Sequence, residues 1–186
     1  MPYYICTQPA SPKLDTLPTY KIIDYPLEKR DYKPFAQAKL CVTPQEFLVQ
    51  MWAFEMVPQP ESRLRAVFTA PQSQNLLVLT AAAGGACTCL VRGPGGDKPL
   101  DAIVHSLDGE DLQGIYWGVT VTVRRAAVEE ALGKGCTQVG FTLRGNFYKL
   151  SESPVKPHKG SLYPADFAGG REYALPSLGE FKIVAY

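Results

Sequence analysis

The chain has 186 residues, 46% hydrophobic and 20% charged, with nineteen Lys and Arg against eighteen Asp and Glu. Such a length buries a core without disulfide or metal staples. A formal net charge of +1 excludes partners won by field strength: nucleic acid through a basic surface, or anionic lipid through a polybasic anchor.

The opening segment, Met1 to Lys13, carries no basic cluster followed by an apolar run, so a secretory signal is not expected there. The longest apolar stretch, around Leu76 to Leu90, is broken by Gly84 and Gly85 and falls short of a membrane helix. Five scattered cysteines, Cys6, Cys41, Cys87, Cys89 and Cys136, read as reduced, mostly buried thiols and not as a disulfide framework. Together these features point to a cytoplasmic protein.

Sixteen Gly and sixteen Pro punctuate short runs rich in β-branched and aromatic residues, and the spacing predicts strands in this order. They are Tyr20–Ile23, Ala36–Val42, Glu46–Glu55, Arg63–Thr69, Asn75–Ala81, Cys87–Arg92, Ala102–Ser106, Gly114–Arg124, Thr137–Lys149 and Glu180–Tyr186. One short helix is expected over Arg124–Leu132, stopped by Gly133. Many short strands with turns between them make the chain all-β, a sandwich or barrel, and no repeat or linker divides residues 1–186 into more than one domain.

Alternation then assigns faces. Val139, Phe141, Leu143 and Phe147 lie on one side of the long late run, with Arg144, Asn146 and Tyr148 on the other. Trp117 sides with Val119, Val121 and Val123 and is expected in the core, while Tyr116 takes the other side. Phe47, Val49, Met51 and Ala53 oppose Leu48, Gln50, Trp52 and Phe54, which puts Trp52 on a polar side with Gln50.

Catalytic and metal motifs are missing. The two histidines, His105 and His158, stand at neither finger nor metalloprotease spacing, and no nucleophile elbow occurs around Ser106. Gly93–Gly96 and Gly133–Gly135 lack a following Lys-Ser or Lys-Thr and are turns. Asp108, Glu110 and Asp111 form the one acidic cluster.

Two segments carry a family likeness. The run from Lys33 to Leu40, continuing through Phe47–Glu55, resembles an early strand pair of carbohydrate-binding module family 9-like domains. Arg144-Gly145-Asn146-Phe147-Tyr148-Lys149, then His158-Lys159-Gly160-Ser161 and Gly179-Glu180-Phe181, resembles their C-terminal part. The resemblance implies an immunoglobulin-like or jelly-roll β-sandwich with one short helix. It also implies a non-catalytic protein that holds a small neutral saccharide between aromatic rings while planar polar groups take the hydroxyls. Carried over residue by residue, Trp52 and Tyr148 supply rings, and Glu55, Arg144, Asn146 and the following-strand arginine, Arg63 or Arg65 (both candidates), supply hydroxyl partners. Tyr116 is a further candidate ligand residue, and His158 stands at the rim. Some members bind calcium, but no Asp-rich loop here matches such a site, so no cofactor is expected. The alternatives are a glycoside-active enzyme using Glu55, or a protein-interaction sandwich without sugar binding; nucleic acid and membrane are not expected partners, and the oligomeric state is left open.

Overall fold

The computed structural model describes residues 1–30 and 33–185. Among the described residues thirteen strands make one continuous mixed sheet: β1 (Tyr3–Thr7), β2 (Tyr20–Ile22), β3 (Ala36–Val42), β4 (Glu46–Phe54), β5 (Ser62–Thr69), β6 (Leu76–Ala82), β7 (Cys87–Gly93), β8 (Gly96–Pro99), β9 (Ala102–Asp111), β10 (Gly114–Arg124), β11 (Thr142–Ser151), β12 (His158–Ser161) and β13 (Gly179–Val184). The strand order is β8-β7-β6-β5-β11-β13-β1-β3-β4-β10-β9, with β12 added beside β11 and β2 beside β3.

The sheet curls over at β1, which runs parallel to both neighbours. Tyr3 is in register with Phe181 on β13, and Cys6 with Cys41 on β3. The two halves thereby face each other and share one core: Phe47 of β4 meets Phe68 of β5 edge to face, with ring centroids 5.4 Å apart. Phe147 and Phe181 complete an aromatic centre from which solvent is excluded. Each such side chain contributes roughly 1.5–3 kcal/mol through burial. The all-β sandwich with one short helix read from the sequence is the fold observed.

Alternation placed Met51, Trp117, Leu143 and Phe147 correctly in the core. The helix, α1, spans Arg125–Leu132 and buries Val128 and Leu132; Gly133, at φ 127°, turns the chain out of it as only glycine does without strain. Elsewhere the limits differ. Residues 137–141 form turns instead of the start of β11, which leaves Val139 exposed. Asp108 and Gly109 sit within β9, which runs on to Asp111 because β10 pairs with it along its whole length. β1, β8 and β12 were not foreseen, and the expected end of the last strand at Tyr186 lies outside the described residues. Among the described residues no helix is long and apolar enough to cross a membrane.

Candidate functional site

On β11, Arg144, Asn146 and Tyr148 point away from the core, as the alternation requires, but a loop covers them. Residues 162–178 lie across this face and bring Phe167 and Leu178 onto Tyr148, Val67 and Val78. Asn146 holds both ends of that loop. Its Nδ2 donates to the carbonyls of Tyr163 and Ser177, each at 2.9 Å, and its Oδ1 accepts from the amides of Phe147, Leu162 and Tyr163. Arg144 donates to the carbonyls of Leu175 and Leu178, and Tyr148 donates from Oη to the carbonyl of Glu172 at 2.5 Å. Asn146 and Tyr148 are fully buried. The expectation that Asn146 and Tyr148 contact a ligand is therefore corrected, because the loop's own backbone takes the polar groups they offer; the Arg144 side chain stays 32% exposed, with Nη1 3.7 Å from Glu180.

What the loop leaves open is the far end of the same face. Register sets Leu150 of β11 between Arg63 of β5 and Lys159 of β12, and Tyr148 beside Arg65. A cavity of about 250 Å³ lies over them, closed by Glu61, Glu152, Glu172 and Tyr173. Arg65 is fixed: its Nε donates to Thr80 Oγ1 at 2.8 Å, its Nη1 donates to Tyr173 Oη, and its guanidinium carbon lies 5.4 Å from the Tyr173 ring centre. Tyr173 is steadied in turn by a perpendicular contact with Tyr148, ring centroids 5.4 Å apart at 88°. Three cations thus meet three carboxylates beside a half-buried aromatic ring. Arg63 and Arg65 come together here, whereas Lys159, Glu172 and Tyr173 were missed. They arrive from β12 and from a loop, neither of which has an alternating pattern to mark it.

Glu55 and His158 belong to a separate, inward cluster at this end of the sandwich. Glu55 Oε2 accepts from Trp117 Nε1 at 2.8 Å and from Ser62 Oγ at 2.7 Å, and lies 3.1 Å from the Nζ of Lys149. Lys149 Nζ also donates to Ser62 Oγ and, at 2.8 Å, meets His158 Nε2. His158 Nδ1 lies 2.9 Å from the carbonyl of Lys156, so the neutral ring that donates from Nδ1 and accepts at Nε2 satisfies both contacts. Burial pushes Lys149 down to about 8 despite Glu55, and burial with the Lys149 charge holds His158 at about 4. Burial pulls Glu55 upward, but Lys149 and the hydrogen bonds from Trp117, Ser62 and Lys149 outweigh it, leaving the carboxyl below its usual range. A glycosidic general acid needs the opposite displacement and an open side. Glu55 is a buried counter-ion, which corrects its expected place among the ligand groups.

Trp52 and Tyr116 stand on the other half of the sheet. Trp52 alternates with Met51 and Ala53, both in the core. It is in register with Gln37 on one side and Gly118 on the other, and the Lys39 amine lies 5.9 Å from the centre of its ring. Tyr116 packs its edge on Phe54. Because Met51 and Phe147 enter one core from opposite layers, Trp52 and Asn146 point away from each other. The single polar face expected to join Trp52 with Arg63, Arg65 and Arg144 is two faces on opposite sides of the molecule. Among the described residues no cluster of His, Cys, Asp and Glu is arranged to hold a metal ion.

No family model and no curated protein sequence matches the chain. Solved structures do. A proposed carbohydrate-binding protein from Bacteroides uniformis superposes with a TM-score of 0.72 at 14% identity, covering 97% of this chain and 99% of that one. A carbohydrate-binding module of family 9 from Caldicellulosiruptor kristjanssonii, solved with glucose, gives 0.64 at 11% identity over 98% and 96% of the two chains. A carbohydrate-binding module of family 9 from the same organism, solved with cellotriose, gives 0.64 at 12% identity over 98% and 94%. At this identity the likeness establishes architecture, and over nearly its whole length the chain shares the fold of carbohydrate-binding module family 9 domains.

Proposed function

We propose that the chain is a non-catalytic saccharide-binding protein and that the groove between Arg63, Arg65, Lys159 and Tyr173 is where the sugar sits. The observation that carries this reading is the fixed pair of Arg65 and Tyr173 beside an open cavity. A guanidinium held from two sides presents its remaining N–H groups without further ordering cost, and an adjacent ring offers an apolar surface to the C–H face of a pyranose. Glu61, Glu152 and Glu172 accept from hydroxyls, and Arg63 and Lys159 donate to them. The balance of cations and carboxylates suits a neutral ligand. The fold, shared with a module solved in complex with glucose, supports the same class.

Calorimetric titration with glucose, xylose and galactose tests it. One of these binds with a Kd between millimolar and micromolar, about −4 to −8 kcal/mol, and Arg65→Ala weakens that binding at least tenfold. Absence of heat from every sugar, or an Arg65→Ala variant that binds as well as the parent, overturns the proposal.

A further inference from the structure

The strand order ends at β8 on one side and at β9 on the other, and the two ends differ. β8 is four residues long, carries Asp97 and Lys98, and closes on Pro99. Shortness, charge and proline are the usual guards of an edge against a stray strand. β9 runs ten residues, Ala102–Asp111, without proline or lysine. Its register with β10 is unbroken from Ala102 to Asp111, so no bulge twists it away. Its carboxylates, Asp108, Glu110 and Asp111, gather at the far end and leave Ala102–Leu107 without any. Among the described residues β10 is the only strand paired with β9, so the outer edge keeps a row of backbone amides and carbonyls for a further strand. Apolar side chains are open there too. Ile103 is 60% and Val104 37% exposed, although Val121, in register with Val104, is fully buried. The core stops one strand short.

We propose that β9 pairs with β9 of a second copy, antiparallel about a two-fold axis through His105, so that the two sheets join into one. An axis normal to the sheet keeps every side chain on its own face, so each residue meets one an even number of positions away. The registers that overlap most of the strand differ sharply in what they oppose. Centred on Ser106, the pairing sets Asp101 against Asp111 and Val104 against Asp108. Centred on Leu107, it sets Ile103 against Asp111 and Val104 against Glu110. Centred on Asp108, it sets that carboxylate against its own copy. Centred on His105, it sets Ile103 against Leu107 on one face and Val104 against Ser106 on the other, while Asp101 meets Gly109 and Asp108 meets Ala102. Only this last register puts two large apolar side chains together, twice by symmetry, and sets no carboxylate directly against another. Glu110 and Asp111 then fall beyond the partner's strand, opposite Leu100 and Pro99, where water reaches them. The groove at Arg65 lies on the other layer, so this pairing stands or falls apart from the saccharide reading.

The experiment uses the whole chain. Sedimentation equilibrium over a concentration series is compared for the parent and for Ile103→Lys, which places a guarding charge on the exposed edge; circular dichroism checks that the variant folds. His105→Cys and Leu107→Cys are then mildly oxidised, with the parent and its own five cysteines as the blank. The expected result is a parent dimer, a dissociation constant raised at least tenfold by Ile103→Lys, and a disulfide-linked dimer through His105→Cys but not through Leu107→Cys. A parent that stays monomeric throughout, a dimer that Ile103→Lys leaves intact, or no link through His105→Cys overturns the proposal.

Discussion

The Nζ of Lys149 and the Oε2 of Glu55 lie 3.1 Å apart, with their side chains 0% and 7% exposed. Two opposite charges sealed at one end of a sandwich core stabilise only as a pair, because each alone would bear its desolvation cost unmet. Glu55→Ala is expected to destabilise the fold by about 3–5 kcal/mol, read from urea unfolding. Adding Lys149→Met should recover most of that loss. A single variant within ~1 kcal/mol of the parent would show that Lys149 sheds its proton or gains water once Glu55 is gone.

Acid should weaken the fold through His158 before the ordinary carboxylates titrate. The ring is walled in by Lys149 and Glu55, with Tyr25 and Arg30 beside it. Its value falls from 6.5 to about 4 on folding, so in that window the unfolded chain binds more protons and stability drops as the pH falls. Glu55, also lowered, adds loss in the same direction at lower pH. The slope attributable to His158 is at most about 1.4 kcal/mol per pH unit. Urea midpoints measured from pH 7 to 4 should fall, and His158→Gln should flatten the upper part of that fall.

Asn146 ties together segments that are far apart in sequence, and its removal should be felt in the loop more than in the sheet. Asn146→Ala leaves the carbonyls of Tyr163 and Ser177 without this donor, at about 1–3 kcal/mol for each group that finds no replacement. Hydrogen exchange should quicken across residues 162–178, and trypsin should cut faster at exposed Arg171. Unchanged protection in the loop would contradict this account.

Trp52→Ala separates the two faces. It removes an indole from the layer opposite the groove, so saccharide affinity should stay within twofold of the parent while Arg65→Ala loses it. The reverse pattern in the same titration would move the site to the face around Gln37, Gln50 and Trp52.

Much of this architecture is legible in the residues. Strict alternation told Met51 from Trp52, and Phe147 from Asn146, because a strand buried on one side selects side chains with period two. What alternation cannot encode is which layer a strand joins. Trp52 and Arg144 both point outward, and only the curl of the sheet at β1 sends them to opposite sides. β12 escaped notice because His158-Lys159-Gly160-Ser161 has no apolar rhythm; its place is set by pairing with β11 and by Tyr25 lying on Gly160. For the same reason Asn146 and Tyr148 read as free binding groups: their partners are backbone carbonyls and amides from 162–178, and nothing in the local pattern marks a backbone.

The parallel seam that β1 makes with β13 has a consequence for how the molecule is made. Tyr3 waits for Phe181, and Ile5 for Ile183, so the step that unites the two layers closes a loop of nearly the whole chain. Contacts of such separation slow folding to the millisecond-to-second range typical of all-β domains. During synthesis the growing chain holds its first strand unpaired on that edge until the last one emerges.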